Sequence, residues 1–250
     1  IGTFSMSRFD LDIADSIEVN SRKRKAKPVK AKIDNLNVKK VEPITEAQRE
    51  MFASFMQGQN IVACGSAGTG KTYVATYLAL QEVFAQRKNK IVFVRSAVPT
   101  RQIGHLPGDL NEKSLVYTTP FKQIVDDLCE NGTAYNILTT KGVIEFMTTS
   151  FIRGITLDNC VIIVDESQDC TWHELNSLMT RCGKNTQIVF CGDTKQNDLI
   201  KNKHDVSGFA DFMKVAGSME EFDIIKFYSS DIVRSGLVKS WILACERHNL

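Results

Sequence analysis

The chain has 250 residues, 43% apolar and 24% charged, with 31 basic against 29 acidic side chains. That is long enough to bury one sizeable core and places the chain in the ordinary soluble globular class. A net charge of +2 is too small to argue by itself for nucleic acid, and no apolar run approaches the roughly eighteen residues of a membrane span, so no membrane partner is expected.

The chain opens on Ile1, and residues 1–5 are expected to be an expression remnant before a natural start at Met6. Residues 1–44 are expected to form a flexible arm. It carries an acidic stretch (Asp10, Asp12, Asp15, Glu18), then a basic run from Arg22 to Lys32, then Lys39 and Lys40. The basic run lacks apolar periodicity and reads either as a solvated linker or as an arm that touches nucleic-acid phosphates. Residues 45–250 are expected to form one domain, opened by a helix with Thr45 at its N-cap and Met51, Phe52, Phe55 and Met56 as an apolar stripe.

The short apolar run Ile61-Val62-Ala63-Cys64 then leads into Gly65-Ser66-Ala67-Gly68-Thr69-Gly70-Lys71-Thr72, followed by a helix with Tyr73, Tyr77, Leu80 and Phe84 on its inner face. This is a complete G-x-x-x-x-G-K-[ST] sequence between a strand and a helix, the context that separates a phosphate cradle from a chance glycine-rich turn. Its backbone N–H groups converge on a polyphosphate, Lys71 adds charge, and the Thr72 hydroxyl can reach a magnesium ion.

A strand at 91–94 is expected to run into a long polar loop from Arg95 to about Pro120, then a helix from Phe121 to Cys129 and one or two strands between Tyr135 and Met147. The second apolar run, Val161-Ile162-Ile163-Val164, closes on Asp165-Glu166-Ser167-Gln168. Asp165 at the end of a buried strand can hold magnesium, and Glu166 beside it can orient and deprotonate an attacking water. A helix through Leu175, Leu178, Met179 and Cys182 is expected to be capped by Gly183, before a strand at 187–191 that ends on Gly192-Asp193. Just past it, Gln196 is the candidate to sense the terminal phosphate. A helix near 208–215, a strand near 222–227 and a last helix with Leu237, Trp241, Ala244, Cys245 and His248 complete an alternating α/β pattern with a mainly parallel sheet. The seven cysteines include no C-x-x-C pair and read as small buried residues in a reducing compartment inside a cell.

Taken together, the Gly65–Thr72 loop, Asp165-Glu166-Ser167-Gln168 and Gly192-Asp193-x-x-Gln196 resemble motifs I, II and III of superfamily 1 helicases. The chain more specifically resembles the PhoH family, through Gly104-His105-Leu106-Pro107-Gly108-Asp109-Leu110, Glu112-Lys113, Arg153-Gly154-Ile155-Thr156, Thr180-Arg181-x-Gly183 and Asp231-Ile232-Val233-Arg234. The resemblance implies a single RecA-like lobe with the strand ending at Gly192 between the P-loop strand and the Asp165 strand. It implies ATP and Mg2+ as ligands, Gln48 as the glutamine that reads adenine, and coupling to single-stranded nucleic acid, RNA before DNA, with Arg101, His105 and Lys113 available to phosphates. With one lobe, the transition-state arginine must come from within it or in trans from a neighbouring copy in a ring, expected to be hexameric. Arg234 is the first candidate, ahead of Arg181 and Arg95. A nucleotide-gated switch without helicase activity is the alternative; adjacent Asp165 and Glu166, which suit water as acceptor, disfavour a small-molecule kinase.

Overall fold

The computed structural model describes residues 33, 35–96, 110–152, 154–193 and 207–248, without the side chains of 110–115 and 246. The basic run at 22–32, Arg101, His105 and Gln196 lie outside the described residues, as does the Lys113 side chain.

Helix α1 (Glu46–Met56) starts where the Thr45 hydroxyl accepts from the Gln48 backbone N–H, and it buries Met51 and Phe55. Strand β1 (Asn60–Gly65) leads through the glycine-rich loop to α2 (Lys71–Phe84). There follow β2 (Lys90–Arg95), α3 (Leu110–Leu128), α4 (Ala134–Thr140), β3 (Ile144–Thr148), β4 (Cys160–Val164), α5 (Trp172–Met179), β5 (Gln187–Gly192), α6 (Phe209–Ala216), β6 (Phe222–Phe227) and α7 (Gly236–Arg247).

The described strands form one sheet in the order β3-β2-β4-β5-β1-β6, every pairing parallel. Strand β5 therefore lies between β1 and β4, as the resemblance implied. Because the sheet is covered on both faces, the four central strands are continuous apolar runs. Ile61, Ala63, Phe93, Ile163 and Val189 face α1 to α4, whereas Val62, Val92, Ile162, Ile188 and Phe190 face α5 and α6. The alternation sorts one run of residues into two cores and fixes the register.

Two expectations need correction and one is narrowed. The loop after β2 does not reach Pro120: from Leu110 the chain is already helical, and Pro120 lies inside α3. The proline is tolerated because the aromatics on either side of it have partners, Tyr117 stacking on Phe146 at 6.5 Å between ring centroids and Phe121 on Phe93 at 4.3 Å. Tertiary packing there outweighs the missing N–H donor. Of the one or two strands expected between Tyr135 and Met147 there is one, β3, and a helix precedes it. Ala134, Tyr135 and Leu138 form the buried side of α4, held at its start by the Asp126 carboxylate accepting from the Tyr135 N–H at 2.9 Å. Gly183 does not cap α5, which ends at Met179; the missing Cβ makes room instead for the Asp158 carboxylate, 2.0 Å from where that carbon would stand.

Candidate nucleotide site

The carboxyl ends of β1, β4 and β5 meet at a cavity of about 660 Å³. Its phosphate end is the loop itself. Gly65 has φ +131, and a Cβ there would lie 1.8 Å from the Phe227 carbonyl oxygen, which accepts from the Ser66 N–H at 3.1 Å. Only glycine allows β1 and β6 to approach so closely. The next turn is pinned from inside, with the Thr69 hydroxyl donating to the Ser66 carbonyl at 3.0 Å and the Val233 N–H donating to the Gly68 carbonyl at 3.1 Å. Helix α2 begins at Gly70 with no side-chain cap, so its first N–H groups face the cavity as an anion site.

Lys71 stands in this cradle and donates to the Gly65 and Ser66 carbonyls at 2.7 and 2.8 Å. Burial holds its ammonium below the usual lysine value, opposed by Cys191, Asp193 and the acid pair. One turn on, the Thr72 hydroxyl donates to Asp165 Oδ1 at 2.7 Å. Asp165 is buried at the end of β4; desolvation pushes its carboxyl above the ordinary value against the pull of Arg95. A hydroxyl and a buried carboxylate meeting beside a phosphate cradle are the hard oxygen ligands that magnesium takes, so the residues present fit that ion.

Glu166, half exposed, adopts a left-handed backbone (φ 50, ψ 46) that turns the chain sharply away from β4. Such a backbone in a non-glycine residue is costly and concentrates at functional sites. Gln168 holds it: its amide nitrogen donates to Glu166 Oε2 at 2.7 Å while its amide oxygen accepts from the Asp193 N–H at 2.9 Å, linking the ends of β4 and β5. Arg95 completes the group from the end of β2, with Nε 3.5 Å from Asp165 and Nη2 3.2 Å from Glu166.

Arg234 lines the same cavity in the same copy, and its Cγ is 2.8 Å from where a Cβ on Gly68 would stand. Arg181 is not brought here. Its carbonyl accepts from the Leu157 N–H, near the amino end of β4 and so at the opposite edge of the sheet. Gln48 is 5% exposed, lines the cavity, and spans from the Ile44 N–H, which it accepts at 2.9 Å, to the Thr69 carbonyl, to which it donates at 3.0 Å. The apolar end of the cavity comes from Val41, Ile44, Tyr73, Ile124 and Val233.

Three of these contributions were not assigned at the sequence level. Arg95 clamps both acids, Gln168 bridges two strand ends, and the segment 41–44 forms a cavity wall although it falls within the stretch expected to be a flexible arm. Gln168 was visible in Asp165-Glu166-Ser167-Gln168. Segment 41–44 has no periodic signal; it is placed by the Lys39 N–H donating to the Leu128 carbonyl at 2.9 Å and by a Lys39–Asp127 ion pair at 2.8 Å, to which the Tyr73 hydroxyl also donates.

Comparison with known proteins gives a match to the family model described as PhoH-like protein over residues 40–246. The PhoH-like protein of Bacillus subtilis is 31% identical over 216 residues, covering 86% of this chain and 67% of that protein. Protein PhoH of Escherichia coli is 30% identical over 194 residues, 77% of this chain and 54% of that protein. Among solved structures, the large terminase of a thermophilic bacteriophage in complex with ADP matches 80% of this chain and 49% of that one, at 15% identity and a TM-score of 0.46.

Proposed function

The chain belongs to the PhoH-like protein family, and on that premise we propose that it is a P-loop ATPase whose hydrolysis is coupled to single-stranded nucleic acid. The observation that supports this most is the meeting of Lys71, Thr72, Asp165 and Glu166 at one cavity, with Glu166 next to the buried acid and half exposed. The loop N–H groups and Lys71 bind the polyphosphate. Thr72 and Asp165 would hold magnesium, which neutralises phosphate charge when bound. Glu166 orients a water and takes its proton, Gln168 and Arg95 fix the direction of its carboxylate, and Arg234 reaches toward charge at the phosphates.

RNA is the first choice of polymer, and a hexameric ring the expected assembly; both rest on the family resemblance. Phosphate release is to be measured with magnesium and ATP, alone and with single-stranded RNA or DNA, beside Glu166→Gln, with mass measured in solution. Stimulation by one polymer supports coupling, and turnover indifferent to both replaces it with a nucleotide-gated switch. Turnover that survives Glu166→Gln refutes the assigned base. A monomer with full polymer-stimulated activity removes the ring.

A further inference from the structure

Among the described residues, Phe151 and Trp172 are large aromatic side chains that face solvent at the edge of the sheet where the nucleotide cavity opens, outside that cavity. Phe151, 72% exposed, closes the short 3-10 turn that follows β3. Trp172, 43% exposed, is the first residue of α5, which follows β4 and the acid pair. Burying either ring would have stabilised the fold by about 2 kcal/mol or more, and both remain outside the two cores.

The exposed neighbours in sequence are Ser150, Gly154 and Thr156 on one side and His173 and Asn176 on the other. Single flat rings in a polar setting suit the stacking of bases, whereas a protein partner of useful area asks for a broader apolar patch.

The mounting of the rings is also rigid, and one carboxylate does the mounting. Glu174 Oε2 accepts from the Thr171 N–H at 2.8 Å and its hydroxyl at 2.9 Å, closing the capping box under Trp172. Its other oxygen accepts from the Thr149 hydroxyl, two residues before Phe151, and from the Ser96 hydroxyl at 3.1 Å. Ser96 follows Arg95, the residue that clamps Asp165 and Glu166. The two rings are thus tied through Glu174 to the strand end that carries the arginine of the hydrolytic site.

We propose that Phe151 and Trp172 form a base-stacking surface for a single-stranded polynucleotide, mounted by Glu174. This rests on the nucleic-acid reading of the preceding section. Glu174 is a positioning residue here and touches no base.

The chain has two tryptophans, so Trp241→Phe leaves Trp172 as the sole indole reporter. Oligo(rU) and oligo(dT) titrated into that full-length variant should quench Trp172 fluorescence, and a blunt duplex should not. Adding Phe151→Leu, which keeps an exposed apolar side chain but no ring, should weaken polymer binding about tenfold, the size of one base–aromatic stack, with basal ATP turnover unchanged. If the polymers bind or stimulate while Trp172 is unquenched and Phe151→Leu binds as tightly, the surface is refuted and the coupled-ATPase reading stands. If no polymer binds or stimulates the unaltered chain in any nucleotide state, both fall. Loss of a larger species in solution on Trp172→Ala, without loss of polymer binding, reassigns the face to a contact between copies and overturns the proposal.

Discussion

Arg95→Met removes the guanidinium between the two acids while keeping an apolar stem, and its cost can be worked from the geometry. At an effective dielectric of about 20, unit charges 3.5 Å apart attract by roughly 5 kcal/mol before desolvation is counted. The Asp165 side chain is 11% exposed, so this contact is not screened away; Glu166 is 46% exposed and its contact is worth about 1 kcal/mol or less. Stripping the partner from a buried charge costs about 3–5 kcal/mol, and roughly 3 kcal/mol is the expected loss at neutral pH. Its pH dependence carries the test. Burial already raises the Asp165 carboxyl and Arg95 pulls it back down, so in the variant it climbs further. A group raised on folding favours the fold below its ordinary value and loses that contribution as pH rises through its folded value. The deficit of the variant should therefore be full at neutral pH and shrink on acidification, once a protonated Asp165 no longer needs a cation. Urea unfolding of both proteins across a pH series measures this. An equal deficit at every pH would refute the electrostatic account and assign the role of Arg95 to packing, its guanidinium lying 6.0 Å from the Phe121 ring centroid.

Glu166→Gln is expected to lower hydrolysis by about 10²–10⁴-fold, the range for loss of a positioned general base, with ATP affinity kept when measured by titration. Gly68→Ala forces a side chain onto φ +74 and into the Arg234 stem; it should cost about 1–2 kcal/mol in thermal unfolding and slow turnover together, and normal values of both would show that the loop yields freely. Mixing Lys71→Ala copies with Arg234→Ala copies separates the two sources of the arginine. No recovery of turnover places Arg234 at its own P-loop, and recovery places it in trans.

The fold was legible because its central strands are unbroken apolar runs that end on chemically distinctive residues. Ile61–Cys64 ends on a phosphate loop and Val161–Val164 on two acids, so the termini of the strands declared the site. What failed was local and had tertiary causes. Pro120 reads as a helix breaker, and only the stacking of Phe121 on Phe93 and Tyr117 on Phe146, from strands far off in sequence, carries the helix through it. Tyr135 is ambiguous between strand and helix by periodicity, and an Asp126 carboxylate supplies the helix start. Gly183 carries the usual mark of a helix end, yet its lack of a side chain serves the approach of Asp158 from another loop. In the site, Arg95 read as the start of a polar loop and as a reserve candidate for the transition-state arginine, because a clamp on two acids exists only once β2 and β4 are neighbours.

Gln48 joins these observations. A glutamine before the P-loop suggests a reader of adenine, and in the structure its amide already serves the protein, accepting from the Ile44 N–H and donating to the Thr69 carbonyl. An amide oxygen has two lone pairs and its nitrogen two hydrogens, so one site of each kind is left over for a base without breaking either bond. The bonds already made hold the wall that offers Ile44 to the cavity and the loop that offers Thr69 and Gly70 as one piece. On the expectation that Gln48 reads the base, a base pressing on that wall would act, through this single side chain, on the turn proposed to receive the phosphates. Recognition of the base and shaping of the phosphate cradle would then be one mechanical event.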